Sequence, residues 1–467
     1  MDAQTGGRAL DEVSDLSVPL VGGGGIFVGS PFYVDLDEFE FTEEEFAASG
    51  TATCFGSDDE LTYGGRWTFI PGPRAPYRTR ILVRRPADPQ RFSGTACVEW
   101  LNVSGGVDAD PEWASVNEEI LRRGHIWVGV SAQHIGVMGG PVLVEGPEDP
   151  RAALAGQGLR KIDPERYESL DHPGDGFSYD IFTQVSRAIR AGSATGDLEP
   201  QRVIAVGESQ SAAALVTYYN GLQPQTHAFD GFLVHSRAAS ALPLVEPGGQ
   251  VAIAEVIIEN KPVIFRTDGD APVMCIQSEG DVTGLLNSHV ARQPDSDTFR
   301  LWEVAGTAHA DAHMLGALAG SLDCGLPINN GPFHLVVKAA LRALTTWVDE
   351  GTAPPTAPRL DVVEGSIPSL GRDSDGIATG GIRTPPVDVP VGALSGEPGP
   401  SPSMLCLLLG SARPFSAERI NALYASREDY LKRFETSADE VIAGGFVLPE
   451  DREALLTFAE PSLVSPH

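Results

Sequence analysis

The chain has 467 residues, a formal net charge of −31 at pH 7 and a hydrophobic content of 42%. This length suits one large domain with additions, or two domains. The acidic balance argues against binding to nucleic acid, which needs clustered Lys and Arg, and against binding to anionic membranes. It favours a neutral small molecule as the substrate.

The N-terminal stretch MDAQTGGRALDEVSDL lacks the basic and apolar regions of a secretory signal, and no apolar run approaches the length of a membrane span. We therefore expect a cytoplasmic protein. The five cysteines are odd in number, widely spaced and without a C-x-x-C pair, so we expect neither a disulfide framework nor a zinc site. They are Cys54, Cys97, Cys275, Cys324 and Cys406.

Residues 1–75 are rich in Gly, aromatic and acidic residues. The pieces FYVDLDEFEF and RWTFI alternate as β-strands do, so we expect a β-rich N-terminal extension. The run VGGGGIFVG (21–29) raises a rival interpretation, a dinucleotide-binding oxidoreductase. That site would need a helix directly after the glycines, whereas strand-like residues follow them here.

From residue 78 the pattern changes to short, nearly continuous apolar runs. Such runs are typical of strands buried on both faces of a parallel sheet. They are RTRILVRRP (78–86), TACVEWLNV (95–103), HIWVGVSA (125–132), RVIAVG (202–207), FDGFLVHS (229–236), APVMCIQS (271–278) and FRLWEVAG (299–306). Amphipathic helices are predicted at 111–124, 180–192 and 333–351. The alternation predicts an α/β core over residues 76–360.

Two further segments accompany this core. Residues 238–270 lie between two strands, are too long for a plain crossover, and are interpreted as a cap over an apolar pocket. Residues 361–467 include a Pro/Gly/Ser-rich stretch at 368–403, which is either an ordered wrapping loop or a linker. A small helical region is predicted after it.

The stretch RVIAVGESQSAAALV (202–216) reads as a strand that breaks at Ser209 and restarts at once as a helix. A strand, a tight turn and a helix around G-x-S-x-G form the nucleophile elbow of serine hydrolases. Here the motif is GESQS, with Ser211 in place of the last Gly. The alternative is a helix for which Ser209 is only the N-cap.

A serine nucleophile needs a base and an acid, which in this arrangement follow later strands in the order acid, His. The sequence EGDV after residue 278 offers Glu279 and Asp281. We prefer Asp281 for its distance past the strand, and Glu279 remains the alternative acid. The sequence TAHADAH offers His309 as the base in preference to His313. These two histidines could also hold a metal, although no HExxH glutamate or clear further ligand accompanies them.

Cleavage by this route also requires two backbone N–H donors for the oxyanion. One is expected from Gln210, directly after the nucleophile. The other is expected from the loop after the strand at 95–103, at Asn102 or Val103.

Several motifs together carry a family resemblance: EWLNVSGG, HPGDGFSYDIFTQ, GESQS, EVAGTAHAD, GTAPP and GGIRTP. Through them the sequence resembles the bacterial α/β hydrolase domain-containing proteins over nearly its whole length. The resemblance implies an α/β-hydrolase fold, a mostly parallel sheet flanked by helices. It also implies Ser209, His309 and an acid at Asp281 or Glu279 as the catalytic residues, and no defined substrate.

These observations predict a serine hydrolase that cleaves an ester or lactone of a neutral, hydrophobic small molecule without a cofactor. An acyltransferase or thioesterase with the same catalytic residues is one alternative. A catalytically inactive binding protein of the same fold is another. The sequence leaves open whether the protein is a monomer or a homo-oligomer.

Overall fold

In the computed structural model, which describes residues 11–30, 34–146 and 152–465, a nine-stranded sheet runs through the centre of the molecule. Its strands lie in the order β1-β2-β3-β5-β4-β6-β7-β8-β9. They are β1 (Asp15–Pro19), β2 (Phe41–Gly56), β3 (Ile70–Pro86), β4 (Thr95–Trp100), β5 (Ile126–Val130), β6 (Arg202–Glu208), β7 (Gly231–His235), β8 (Val273–Ser278) and β9 (Phe299–Val304). Strands β4 to β9 pair in parallel, whereas β1, β2 and β3 are joined by antiparallel pairings.

Helices flank the sheet and follow most of its strands. The α-helices are α1 (Pro111–Arg123), α2 (His134–Met138), α3 (Leu159–Ile162), α4 (Pro164–Tyr167), α5 (Ser178–Arg190), α6 (Gln210–Gly221), α7 (Gln223–Thr226), α8 (Ile253–Glu259), α9 (Glu279–Val282), α10 (Ala312–Leu315), α11 (Phe333–Glu350), α12 (Pro385–Asp388), α13 (Met404–Leu408), α14 (Ala417–Leu423), α15 (Arg427–Ala443) and α16 (Arg452–Leu456). Short 3₁₀ helices lie at Asp37–Phe39, Pro89–Arg91, Ala152–Leu154, Asp175–Phe177, Ser288–Ala291, Gly316–Ser321, Pro449–Asp451 and Pro461–Leu463. Two small antiparallel pairs, β10 (Val362–Val363) with β11 (Ser369–Leu370) and β12 (Gly392–Ser395) with β13 (Ser411–Pro414), lie in the C-terminal part.

The continuous apolar runs of the parallel strands have a structural reason. Successive side chains of a strand point to opposite faces of the sheet. In β6, Val203 and Ala205 belong to the core on one face, while Ile204 and Val206 belong to the core on the other. Helices α5 and α6 cover the first face, and α1 and α11 cover the second. Each face is therefore sealed by helices, so both sets of side chains must be apolar.

The order of the strands determines where a site can form. The chain steps from β4 outward to β5 and then returns past β4 to β6. Crevices in sheets of this kind form at such a reversal, outside the carboxyl ends of the strands. The loop that begins at Leu101 and the residue Ser209 follow β4 and β6 directly, so both lie at this reversal.

Four expectations for the N-terminal half need correction. The run at 78–86 belongs to β3, which pairs antiparallel with β5, because apolar content does not encode strand direction. In FYVDLDEFEF, residues 32 and 33 lie outside the described residues, Asp37–Phe39 form a 3₁₀ helix, and the strand begins only at Phe41. In RWTFI, only Ile70 lies in a strand, because Trp67 and Phe69 pack into the core without sheet pairing. Strand β3 also runs across the boundary expected at residue 75.

The expectation that the cysteines form no disulfide is wrong. Cys324 and Cys406 are joined, with their Cα atoms 5.5 Å apart across 82 residues of sequence. Such a distant pair leaves no spacing pattern to recognise. The other three cysteines are buried and free.

The two segments that accompany the core are ordered. Within 238–270 the only α-helix is α8, and the rest is irregular chain. The stretch 368–403 contains β11, α12 and β12. Its residue Ile382 bridges to Val304 at the edge of the sheet, so the stretch is a wrapping segment and not a linker. None of the helices formed by the described residues is both long enough and apolar enough to cross a membrane.

Candidate active site

Ser209 occupies a strained turn between β6 and α6. Its φ of 59° and ψ of −117° lie in a region that residues other than Gly seldom adopt. The Ser209 N–H still donates to the carbonyl of His235 at 2.9 Å, so sheet pairing extends to the turn itself. The helix then begins at once with Gln210. This sharp bend places the Ser209 side chain at the carboxyl edge of the sheet.

Small residues on both sides of Ser209 allow this bend. A Cβ atom at Gly207 would lie 3.1 Å from Cβ of Ser211 and 3.2 Å from Cδ1 of Leu215. A larger residue would require the helix or the strand to shift by a few tenths of an ångström. Ser211, at the position where the motif usually has a second glycine, is fully buried, and its hydroxyl has no hydrogen-bond partner among the described residues.

His309 contacts both Ser209 and Asp281. Its Nε2 lies 2.9 Å from Oγ of Ser209, and its Nδ1 lies 2.7 Å from Oδ1 of Asp281. A carboxylate can only accept, so in the neutral ring we assign the proton to Nδ1, and Nε2 then faces the serine as an acceptor. The other oxygen of Asp281 accepts from the backbone N–H of Ser278 at 2.6 Å. The three side chains thus form a continuous hydrogen-bonded chain.

Glu279, the alternative acid, binds elsewhere. One carboxylate oxygen accepts from the backbone N–H of Gly306 at 2.7 Å. The other accepts from Gly396 N–H at 2.9 Å, Arg372 Nη2 at 2.8 Å and Ser395 Oγ at 3.1 Å. These bonds tie the loop that carries His309 to the C-terminal part of the chain. The structure therefore brings Asp281, and not Glu279, to His309.

A second carboxylate, Glu208, also reaches His309. Its Oε1 lies 3.3 Å from Nε2 of the ring, and Asn102 Nδ2 donates to the Glu208 carbonyl at 3.2 Å and to Oε2 at 3.4 Å. Burial raises the pKa of Glu208 to about 7, against the opposing effect of the charges on His309 and His235. Burial would lower the pKa of His309, but the charges of Glu208 and Asp281 outweigh it and raise that pKa to about 9.

The expected oxyanion loop shows which N–H groups can reach a ligand. The N–H of Asn102 donates to the carbonyl of Ala109 at 2.9 Å, so in this conformation it is not available to an oxyanion. The N–H of Val103 donates to the side-chain oxygen of Gln210 over a long 3.4 Å. Gln210 is the first residue of α6, and the N–H of a first helical residue has no partner inside the helix.

Three other histidines, His235, His313 and His334, have contacts of their own. Nδ1 of His235 lies 3.0 Å from Oε2 of Glu112 in the core. His313 donates from Nε2 to the carbonyl of Ala114 at 3.1 Å and stacks on His334. Within the described ranges, no group of three or more His, Cys, Asp or Glu side chains has the arrangement of a metal site.

A cavity of about 320 Å³ opens above Ser209. Glu208, Ser209, His309 and Asn102 lie at its base. Most of its remaining lining is aliphatic: Leu143, Val144, Ala254, Ile257, Ile258, Leu285, Leu286, Ala310, Met314, Leu315, Leu318, Met404, Leu405 and Leu408. The helix of the expected cap, α8, supplies only one part of this wall.

Sequence reasoning missed two parts of this site. The motif G-x-S-x-G leaves the residue at Glu208 unspecified, although a carboxylate directly before the serine is itself a signal. Helix α13 was also missed as a wall of the cavity. Its signal was the apolar run MLCLLL directly after a Pro/Ser-rich stretch.

Comparisons with solved structures return serine hydrolases and esterases at low similarity. A serine hydrolase without a lid from Xanthomonas campestris has 12% identity and a TM-score of 0.32, with 63% of this chain and 94% of that chain covered. An esterase from Rhizomucor miehei has 11% identity and a TM-score of 0.35, covering 67% and 85%. An acetyl xylan esterase from Thermoanaerobacterium has 12% identity and a TM-score of 0.29, covering 63% and 84%.

The sequence has no match among curated proteins. A family model, described as an alpha/beta hydrolase domain, matches residues 13–457. The chain therefore belongs to the alpha/beta hydrolase domain family.

Proposed function

We propose that the protein is a serine hydrolase that cleaves carboxylic esters or lactones of hydrophobic small molecules through an acyl-enzyme. One observation carries the proposal. Oγ of Ser209, the ring of His309 and the carboxylate of Asp281 are linked by contacts of 2.9 and 2.7 Å. This is the relation of nucleophile, base and orienting acid that such a reaction needs.

In the first half of the reaction, Oγ of Ser209 attacks the ester carbonyl carbon while Nε2 of His309 takes the hydroxyl proton. The resulting imidazolium is stabilised by Asp281 and returns the proton to the departing alcohol oxygen as the carbon–oxygen bond breaks. In the second half, His309 removes a proton from water, which attacks the acyl-enzyme. The proton then returns to Ser209, and the carboxylic acid leaves.

The oxyanion formed in each half needs backbone donors. The N–H of Gln210 is one, since the helical ladder does not use it. We assign Val103 as the second, because its long 3.4 Å bond to the Gln210 side chain is weak enough to be exchanged for a bond to the substrate. Asn102 then contributes through its side chain, which donates hydrogen bonds to the carbonyl and the carboxylate of Glu208.

The cavity supports a hydrophobic substrate. Among the described residues that line it, only Glu208 and His309 carry ionisable side chains, and both lie at its base. A charged group placed in the upper cavity would lose its hydration without gaining a partner. Aliphatic groups would gain free energy there in proportion to the area that they bury.

The test is hydrolysis of p-nitrophenyl butyrate by the wild type and by Ser209→Ala, with Ser211→Ala as the matched control. We expect Ser209→Ala to lose at least a thousandfold in kcat and Ser211→Ala to keep its rate. A fluorophosphonate should add to Ser209 in the wild type, as seen by peptide mass spectrometry. Equal rates in the wild type and Ser209→Ala, or labelling of another residue, would contradict the proposal.

A further inference from the structure

One wall of the cavity above Ser209 is built from two segments that are far apart in the sequence. The first follows His309 and contributes Met314, Leu315 and Leu318. The second is helix α13, which contributes Met404, Leu405 and Leu408. We call these two segments the paired wall.

The disulfide joins the two halves of the paired wall. Cys406 lies within α13, and Cys324 lies three residues after the 3₁₀ helix Gly316–Ser321 of the first segment. Both cysteines are buried in one apolar cluster with Leu315, Leu405 and Leu409. The bond therefore lies within the hydrophobic packing that supports the cavity lining.

Besides the disulfide, hydrophobic packing and backbone hydrogen bonds hold α13 in place. It is a helix of five residues, too short to be stable without tertiary packing. Met404 and Leu407 are 36% and 39% exposed. Two backbone bonds anchor the end of α13, from Ala310 N–H to the Leu408 carbonyl at 3.1 Å and from Asn329 N–H to the Leu409 carbonyl at 3.1 Å. The disulfide adds a covalent link to these contacts and ties α13 directly to the first segment.

A second part of the cavity lining is also apolar. Ala254, Ile257 and Ile258 of α8 and the neighbouring Leu285 line it, and Ile258 is 79% exposed at the rim. The cavity therefore presents aliphatic side chains from the paired wall and from α8, whereas its two ionisable side chains, Glu208 and His309, lie beside Ser209. An extended hydrocarbon chain matches this lining, because it can contact the aliphatic side chains while its ester carbonyl reaches Ser209.

We propose that the paired wall is the subsite for the aliphatic chain of the ester, and that the Cys324–Cys406 bond sets the preference for chain length by fixing α13. This inference rests on the proposed function. Each methylene that the wall buries should raise kcat/KM about fourfold until the cavity is filled. Loss of the bond should release α13 and flatten this increase.

The experiment compares p-nitrophenyl acetate, butyrate, hexanoate and octanoate in the wild type and in a Cys324→Ala/Cys406→Ala double variant. A parallel series of acetate esters of butanol, hexanol and octanol tells whether the chain belongs to the acid or to the alcohol. We expect the wild-type kcat/KM to rise along one of the two series. In the double variant, the ratio of the longest to the shortest member of that series should fall by about tenfold.

A second variant guards against failure of the double variant to fold. Leu318→Gln keeps the disulfide and places a polar group on the paired wall, so it should reduce the same ratio. Leu407→Gln is the matched control, because Leu407 lies on α13 but does not line the cavity. Its ratio should equal that of the wild type.

The outcomes separate the two proposals. If the wild type hydrolyses esters with no increase along either series, or if Leu318→Gln keeps the wild-type ratio, the inference about the paired wall is overturned. If the folded double cysteine variant keeps that ratio, the role assigned to the disulfide is overturned. If the wild type hydrolyses no ester at all and Ser209 does not react with a fluorophosphonate, the proposed function itself fails.

Discussion

Glu208 Oε1 lies 3.3 Å from Nε2 of His309, the same ring nitrogen that lies 2.9 Å from Oγ of Ser209. When Glu208 is ionised, it favours a proton on that nitrogen. A protonated Nε2 cannot act as the base. The ionisation of Glu208 therefore affects whether His309 is free to accept the proton of Ser209.

Glu208→Gln is expected to shift the pH dependence of kcat/KM to lower pH. The ionised carboxylate helps to raise the pKa of His309 to about 9, so the wild type should gain activity as pH rises towards that value. Removing the adjacent charge of Glu208 should lower the pKa of His309, so the midpoint of the acidic limb of the pH profile should move down by about one pH unit or more. The maximal rate should fall as well, because the imidazolium of the transition state loses a stabilising charge. Rates measured from pH 5 to 10 provide the check.

Glu453→Gln is the control for this experiment, since the Glu453 side chain is 91% exposed. Its pH profile should coincide with that of the wild type. An acidic limb at the same pH in Glu208→Gln and in the wild type would show that Glu208 does not act on His309.

Asp281→Asn is expected to lower kcat by about 10³ to 10⁴. The amide can accept from Ser278 N–H as Asp281 does, but it cannot stabilise the imidazolium and it favours the wrong tautomer of His309. Burst kinetics with a p-nitrophenyl ester measure the loss at the acylation step. A rate within tenfold of the wild type would remove Asp281 from the role proposed for it.

Glu279→Gln is expected to act mainly on stability. The neutral amide loses the charge that pairs with Arg372 and at least one of the bonds to Gly306 and Gly396, which should cost about 3 kcal/mol of unfolding free energy. Urea denaturation followed by fluorescence measures this difference. At temperatures where the variant is folded, its kcat should fall far less than that of Asp281→Asn. The reverse order would make Glu279 the acid.

Gly207→Ala is expected to destabilise the protein by about 1–3 kcal/mol and to reduce kcat. The added methyl group would lie 3.1 Å from Cβ of Ser211 and 3.2 Å from Cδ1 of Leu215, so α6 must shift by a few tenths of an ångström relative to β6, which moves Ser209. Ser211→Ala is the matched control. It removes a buried hydroxyl without a described hydrogen-bond partner, so it should leave the protein as stable or more stable. Thermal unfolding and ester hydrolysis together check both.

The sequence was sufficient to predict the fold, which the family match confirms. The parallel strands could be found because each is covered on both faces, which requires uninterrupted apolar residues. The direction of β3 could not be found in this way, since an antiparallel strand buried on both faces has the same composition. The sharp turn at Ser209 could be predicted from GESQS, because small residues are needed where the helix packs closely against the strand.

Other features of the candidate site depend on contacts that no local pattern records. Asp281 and Glu279 are separated by a single residue, and only the side-chain directions decide which of them meets His309. The contact of Glu208 with His309 forms only because the fold brings the end of β6 next to the loop that carries His309. The Cys324–Cys406 bond joins chain segments brought together only by the wrapping of the C-terminal part.

The bonds from Glu279 to Arg372, Ser395 and Gly396 make the C-terminal part a support for the loop of His309. Local unfolding of residues 372–396 would expose Glu279 to water and release Gly306, only three positions before the histidine. We therefore expect any treatment that releases this segment to reduce activity through the loop of His309. The heat tolerance of activity would then depend on a segment remote in sequence from every residue assigned to the reaction.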